Sequence, residues 1–175
     1  VTYVPAGVSD GGVGYAAGLT RYDNNEPQSG SVNPASSALG YLAFNASPVS
    51  PQYAEQTIAL PPYWTGTYLY INFYSAATTG NVVWEIQSAC TALNGVVGST
   101  SFGAPVTVTT AVSSVSGGLV TTASTTVAAN GANGCPALGA TSPTLMTYRI
   151  FRASSDSASG NANLLGVTLV TGRSQ

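Results

Sequence analysis

The chain has 175 residues, a length suited to one domain that buries its own core. Only 6% of them are charged, against about 25% in ordinary soluble proteins, and the formal net charge is −2 with neither Lys nor His present. Without His there is no Ser–His–Asp triad, no Cys–His pair and no imidazole metal site, and without Lys there is no Schiff base and no phosphate-loop lysine.

The four basic residues, Arg21, Arg149, Arg152 and Arg173, are too few to neutralise a run of phosphates, so nucleic acid is not an expected partner. Attraction to an anionic membrane fails for the same reason. No apolar stretch approaches the roughly 18 residues of a transmembrane helix. No basic-then-apolar leader is visible from Val1, and whether processing removed one is left open. The abundant Ser, Thr, Asn and Gly imply a neutral, hydroxyl-rich surface with little repulsion between copies, which tolerates dense packing.

In chain order, residues 1–37 carry Gly, Pro, Asn and Ser throughout and no sustained period, so they read as an irregular N-terminal arm. Tyr3, Val4, Tyr15, Leu19 and Tyr22 are spaced along it as contact points, suited to a neighbouring subunit or a larger surface. An arm that packs along its own domain is the competing expectation. The domain proper is expected over 38–175.

From Leu39, strand candidates follow at 39–44, 53–60, 67–74, 81–89, 104–110, 118–127, 144–152 and 163–170. Alternation puts Leu69, Ile71 and Phe73 on one face of the third, with Tyr68, Tyr70 and Tyr74 on the other. Val82, Trp84 and Ile86 share a face of the fourth, opposite Val83, Glu85 and Gln87. Period two in β-branched and aromatic residues, bounded by Gly and Pro, means strands with one buried face. Turns are expected at Thr78–Asn81, Ala129–Gly131 and Ser159–Asn161, with another at Trp64–Gly66 behind the extended Pro61-Pro62. Helical periodicity is weak, and its best stretch, 111–118, is broken by Gly117 and Gly118. The fold class is therefore all-β: an antiparallel, eight-stranded jelly-roll sandwich with an irregular arm.

Residues 128–143 form a long polar connection that carries Cys135. A disulfide from Cys135 to Cys90 would pin this loop, and two buried free thiols are the equal alternative.

No catalytic group has an evident partner. Glu55 and Glu85 are the one pair of carboxylates worth weighing for glycosidase chemistry, as residues of neighbouring strands, and an ordinary solvated position explains each better. Asp23-Asn24-Asn25-Glu26 lacks the pattern of a calcium loop. No enzyme activity, cofactor or metal is expected. Tyr68, Tyr70 and Tyr74 are the strongest binding signal, as candidate glycan or subunit contacts, because tyrosine brings large contact area at little entropic cost. Arg149 and Arg152 point to opposite faces of one strand, so one of them faces inward and must pair there, with Glu55 or Glu85 as candidates.

LPPYWTGTYLYINFYSAATTGNVVWEIQSAC, followed by TYRIFRASSDSASGNANLLGVTLV, resembles a family of small jelly-roll proteins of tailed bacteriophages and prophages. The shared features are a Pro-x-Trp turn, a strand of aromatic alternation, a VVW strand and a closing YRIFR…D…LLGV hairpin. The likeness covers about residues 39–170. The turn here is Pro-Tyr-Trp, and of the closing acidic stretch only Asp156 remains. The resemblance implies a non-enzymatic virion surface protein, commonly a homotrimer, acting as capsid decoration (cement) or head fibre and contacting the major capsid protein or another virion protein. Its alternative is a carbohydrate- or receptor-binding module, at a tail-fibre tip that meets a host surface glycan or in a secreted lectin-like protein.

Overall fold

The structure, a computed structural model, describes residues 2–5, 20–21, 28–32, 39–46, 52–60, 64–96, 101–126, 135 and 144–173. These residues contain strands β1 (Thr2–Pro5), β2 (Thr20–Arg21), β3 (Gln28–Val32), β4 (Leu39–Phe44), β5 (Tyr53–Leu60) and β6 (Trp64–Ser75). They continue with β7 (Asn81–Ala92), β8 (Val106–Ala111), β9 (Leu119–Thr121), β10 (Thr125–Thr126), β11 (Thr144–Arg152) and β12 (Ala162–Arg173), with no helix among the described residues.

Two antiparallel sheets form a sandwich. In the seven-stranded sheet, β6 pairs with β12 along its length, β9 and β10 line the other edge of β6, and β12 is flanked by β4 and β1, with β3 outside β4. The five-stranded sheet runs β2-β5-β11-β7-β8. From β4 to β7, and again from β8 to β12, the chain steps repeatedly from one sheet to the other, in the jelly-roll manner.

Alternation explains the core. Leu69, Ile71 and Phe73 of β6, Leu164, Val167 and Leu169 of β12, and Leu42 and Phe44 of β4 are buried from one side. Val82, Trp84 and Ile86 of β7, with Met146, Tyr148 and Ile150 of β11, close the core from the other. Trp84 sits between Phe44 and Phe73 in edge-to-face contacts, with ring centroids 5.2 and 5.5 Å away. The Tyr148 phenol donates to Gln56 Oε1, and burial pushes its pKa up.

The strand expectations hold, with three differences. Residues 118–127 form two short strands, because three residues separate Thr121 from Thr125 where β6 offers two between Leu69 and Asn72. Thr122 absorbs the extra residue: its N–H donates to Ile71 O at 3.0 Å while its hydroxyl accepts from Ile71 N, also at 3.0 Å. The expected Trp64–Gly66 turn is instead the start of β6, held by pairing to β12. Finally, residues 1–37 supply three strands to the sheets: β1 pairs with β12, β2 with β5 and β3 with β4. Those strands are only two to five residues long, too short for a period to announce them. With 118–127 divided in two, the expected eight become twelve among the described residues.

The expected turn at Thr78–Asn81 is present. Gly80 has φ +94°, and a Cβ there would come within 2.6 Å of the Ser157 carbonyl, so only glycine fits. Ala129–Gly131, Pro61 and Pro62 lie outside the described residues. A disulfide joins Cys90, at the end of β7, to Cys135, and both are buried.

The inward arginine is Arg152, and its partner is neither Glu55 nor Glu85. Both of those lie on outward positions, whereas residues 153–161 fold back and bring Asp156 to the Arg152 Nε. Its remaining donors reach Ala158 O and Gly160 O at 2.7 Å and Phe44 O at 3.1 Å. One side chain on β11 thereby ties the closing loop to β4 of the facing sheet, with its charge matched and its fork of donors occupied.

Candidate functional site

The two outer faces of the sandwich differ in kind. On the seven-stranded sheet, the side chains of β6 that avoid the core are Tyr68, Tyr70, Asn72 and Tyr74. Register places Tyr74 beside Asn163 of β12 and Leu119 of β9, and Asn72 beside Gly166 and Thr121. Tyr70 lies beside Thr168, and Tyr68 beside Val170 and Thr126. Directly opposed residues in an antiparallel sheet share a face, so these groups form one platform. From β4, Tyr41 meets Tyr74 edge-to-face, with centroids 5.5 Å apart and an interplanar angle of 80°.

The polar groups of the platform are oriented. Thr121 Oγ1 donates to Asn72 Oδ1 at 2.8 Å, and Asn72 Nδ2 donates to Thr168 Oγ1 at 3.4 Å. Gly166, which is buried, adds no side chain between the Tyr74 and Tyr70 rows. A bulge between Leu164 and Gly166, where the flank of β12 changes from β4 to β1, twists the strand at the same level. No charged residue stands among these positions. Burial, and then Tyr41 beside it, pushes the Tyr74 phenol up, so it stays neutral. Tyr68 is 46% exposed, while Tyr41, Tyr70 and Tyr74 are half-buried.

The outer face of the five-stranded sheet is already occupied by its own groups. The Arg149 guanidinium lies 4.0 Å above the Phe102 ring and 5.5 Å from that of Tyr53. Its Nε donates to Gln87 Oε1 at 2.7 Å, and Gln87 Nε2 donates to Gly103 O at 2.8 Å, which straps residues 101–105 across the sheet. Glu55 is the register partner of Arg149, and Glu85 that of Phe151. The two carboxylates therefore do not sit on neighbouring strands: β11 runs between them, with an arginine in the gap. That corrects the expectation weighed for glycosidase chemistry and leaves no pair flanking an open groove.

At one end of that sheet, Ala59, Ala92, Leu93 and Leu145 line an open cleft of about 300 Å³ that contains no charged side chain. Its lining is mostly apolar, with Thr91, Asn94 and Thr144 as its polar side chains. Among the described residues, no three His, Cys, Asp or Glu side chains gather as metal ligands, and no helix is long and apolar enough to cross a membrane.

Of the candidate residues, Tyr68, Tyr70 and Tyr74 come together on one face. Tyr3 and Val4 lie in β1, in register with Thr168 and Val167. Tyr15, Leu19, Tyr22 and the Asp23–Glu26 cluster lie outside the described residues. Sequence reasoning missed Tyr41, Asn72, Thr121 and Thr168. Asn72 was findable, since it continues the Tyr68–Tyr70–Tyr74 alternation. The others reach the platform only through sheet pairing.

No protein-family model and no curated protein matches the chain. Among solved structures, an isomalto-dextranase of Arthrobacter globiformis T6 complexed with panose shares 17% identity at a TM-score of 0.46, over 87% of this chain and 23% of that one. TmCBM61 in complex with β-1,4-galactotriose shares 7% at 0.40, over 89% and 87%. A family 11 carbohydrate-binding module of Clostridium thermocellum, in complex with a mixed-linked tetrasaccharide, shares 11% at 0.34, over 85% and 88%. Likenesses this distant carry no argument about function, which rests on the residues themselves.

Proposed function

We propose that this chain is a non-catalytic carbohydrate-binding module whose ligand lies across the outer face of the seven-stranded sheet. One observation carries the proposal: Tyr68, Tyr70, Tyr74 and Tyr41 share an uncharged face with the oriented Asn72–Thr121–Thr168 chain of hydrogen bonds. Neutral sugars offer apolar C–H faces and a dense rim of hydroxyls, so their receptor needs aromatic surface with amides and hydroxyls set between the rings. None of the platform positions named above carries a cation, which favours neutral glycans over uronic or sulfated ones.

Calorimetry against a panel of neutral and acidic oligosaccharides tests it. Binding is expected for a neutral glycan and is expected to fall at least tenfold in Tyr70→Ala and in Asn72→Ala, with Arg149→Ala unchanged. No neutral ligand across the panel, or binding indifferent to both platform substitutions, overturns the proposal.

A second reading keeps the chain as a structural protein of a phage particle. It is favoured by where the residues of the resemblance fall: Trp84 centres the core, and Arg152 with Asp156 pins the closing loop. Those residues set an architecture and leave the outer faces free for either role. Immunogold labelling of virions from the source culture tests it, and particles without label would remove this reading.

A further inference from the structure

Strand β8 ends the five-stranded sheet. It pairs with β7 from Asn81↔Ala111 to Ile86↔Val106, and among the described residues nothing pairs with its other edge. A strand edge is a row of unmet N–H and C=O groups, and folds normally blunt it with Lys, Pro, a bulge or a cover. The edge of β6 is lined by β9 and β10, and β5 is lined at Ala54 and Glu55 by β2. The outer strand of the other sheet, β3, is interrupted by Gly30, which weakens pairing. Strand β8 reads VTVTTA: β-branched at five of six positions, uncharged, and in unbroken register with β7. Val106 is 39% exposed, and Thr107, Thr109 and Ala111 are exposed on the solvent side.

We infer that this edge pairs with β8 of a second copy, joining two five-stranded sheets into one continuous sheet. The strand is uncharged and β-branched along its length, so a second copy sets no like charges against it and matches its β-forming side chains, which selects this occupant. Antiparallel pairing of a strand with itself requires a two-fold axis normal to the sheet, and that axis keeps inward residues opposite inward ones. Val108 and Thr110 then continue the inner face, and Thr107 and Thr109 the outer. Two registers meet this condition with the most residues paired, five a side, the axis passing between the two copies of Thr109 or between the two copies of Val108. The nearest charge on the adjoining strand is Glu85, and its symmetry mate lies across both β8 strands, beyond a Debye length of about 8 Å at physiological salt. Five paired residues a side make a small interface, so the dimer is concentration-dependent.

The same axis points both seven-stranded sheets in one direction. On the carbohydrate-binding reading, from which only this consequence follows, a dimer presents two platforms to one polysaccharide surface and binds it with avidity. The two-fold also differs from the trimer implied by the phage resemblance.

Sedimentation equilibrium of the full chain over a range of concentrations tests the dimer without any glycan. The wild-type chain is expected to be a monomer–dimer mixture, and Thr107→Lys/Thr109→Lys a monomer, because both registers then place like charges opposite one another. Thr78→Lys/Thr79→Lys, which adds the same charge on an exposed turn, is expected to dimerise as the wild type does. Should the double lysine variant fail to fold, hydrogen exchange of the wild type reads the same edge: amides within 106–111 are expected to slow as concentration rises. A wild-type monomer at every concentration, a trimer, a dimer indifferent to the lysines, or exchange indifferent to concentration overturns the inference.

Discussion

The two outer faces of this sandwich start from the same alternation and end in opposite states. On the five-stranded sheet the polar groups are spent on one another. Arg149 stacks on Phe102 and bonds Gln87, and Gln87 holds the strap at Gly103. On the seven-stranded sheet the groups are braced without being covered: Asn72 is oriented from both sides, and the tyrosines stand on either side of it. A charged side chain on a sheet surface recruits partners from its own chain, whereas rings, amides and hydroxyls can remain preorganised for something else. In a chain with so few charges, the face that holds Arg149 closes, whereas the Tyr68–Tyr74 platform, whose named positions carry no charge, stays open.

The comparison breaks most completely if the core beneath both faces is released. Arg152→Ala removes the link from β11 to Phe44, Ala158 and Gly160 and leaves Asp156 buried without its partner. The expected loss is about 3–5 kcal/mol, enough to unfold a marginal domain, read by denaturant melts. A loss below about 1 kcal/mol would show that water replaces the guanidinium and that the closing loop is not pinned from within.

Opening the disulfide sharpens the contrast in a more local way. Cys90 and Cys135 are separated by 45 residues, and the chain-entropy relation gives about 4 kcal/mol for a loop of that size. Cys90→Ala/Cys135→Ala is expected to melt earlier by an amount near that figure while its glycan affinity, measured below the melting range, is unchanged. Lost affinity in a folded variant would mean that the pinned connection takes part in the site.

Within the platform, Tyr74→Ala removes the ring that meets Tyr41, and affinity for the neutral glycan is expected to fall by about 1–3 kcal/mol. Arg149→Ala on the other face is expected to leave binding intact and to cost about 1 kcal/mol of stability through the lost stacking. Equal effects of the two substitutions on binding would erase the distinction between the faces.

What could be read from sequence was whatever period two controls. Leu69, Ile71 and Phe73, and Val82, Trp84 and Ile86, announce buried faces because burial acts on each strand separately. Sheet partners did not show, because pairing joins residues far apart in the chain. Strands β6 and β7 follow one another yet lie in different sheets, while β6 finds its long partner in β12 at the far end of the chain. Tyr41 and Thr168 join the platform by that route alone. Arg152 shows the same limit at short range: its inward direction followed from alternation, but Asp156, four residues on, became its partner only through the fold-back of the loop. The N-terminal strands were hidden for a third reason. Two to five residues on a sheet flank need no apolar period, since their stabilisation comes from the backbone ladder.

The finest test concerns Glu55, where the state of the closed face has a measurable sign. Desolvation raises its pKa from 4.5, and the attraction of Arg149 offsets part of that rise. A carboxyl whose folded pKa lies above its unfolded one holds more protons folded than unfolded between the two values. Stability therefore falls as pH climbs from about 4.5 through the raised value and is level beyond it. Glu55→Gln removes the titration. It is expected to match the wild type near about pH 4, where the native carboxyl is protonated, and to melt slightly higher near about pH 7, by an amount kept small by solvent screening. Thermal melts of both proteins across that range decide the matter. A variant that melts lower at neutral pH would mean that attraction to Arg149 outweighs desolvation. The five-stranded face would then be held by an ion pair, and Phe102 would serve only to cover it.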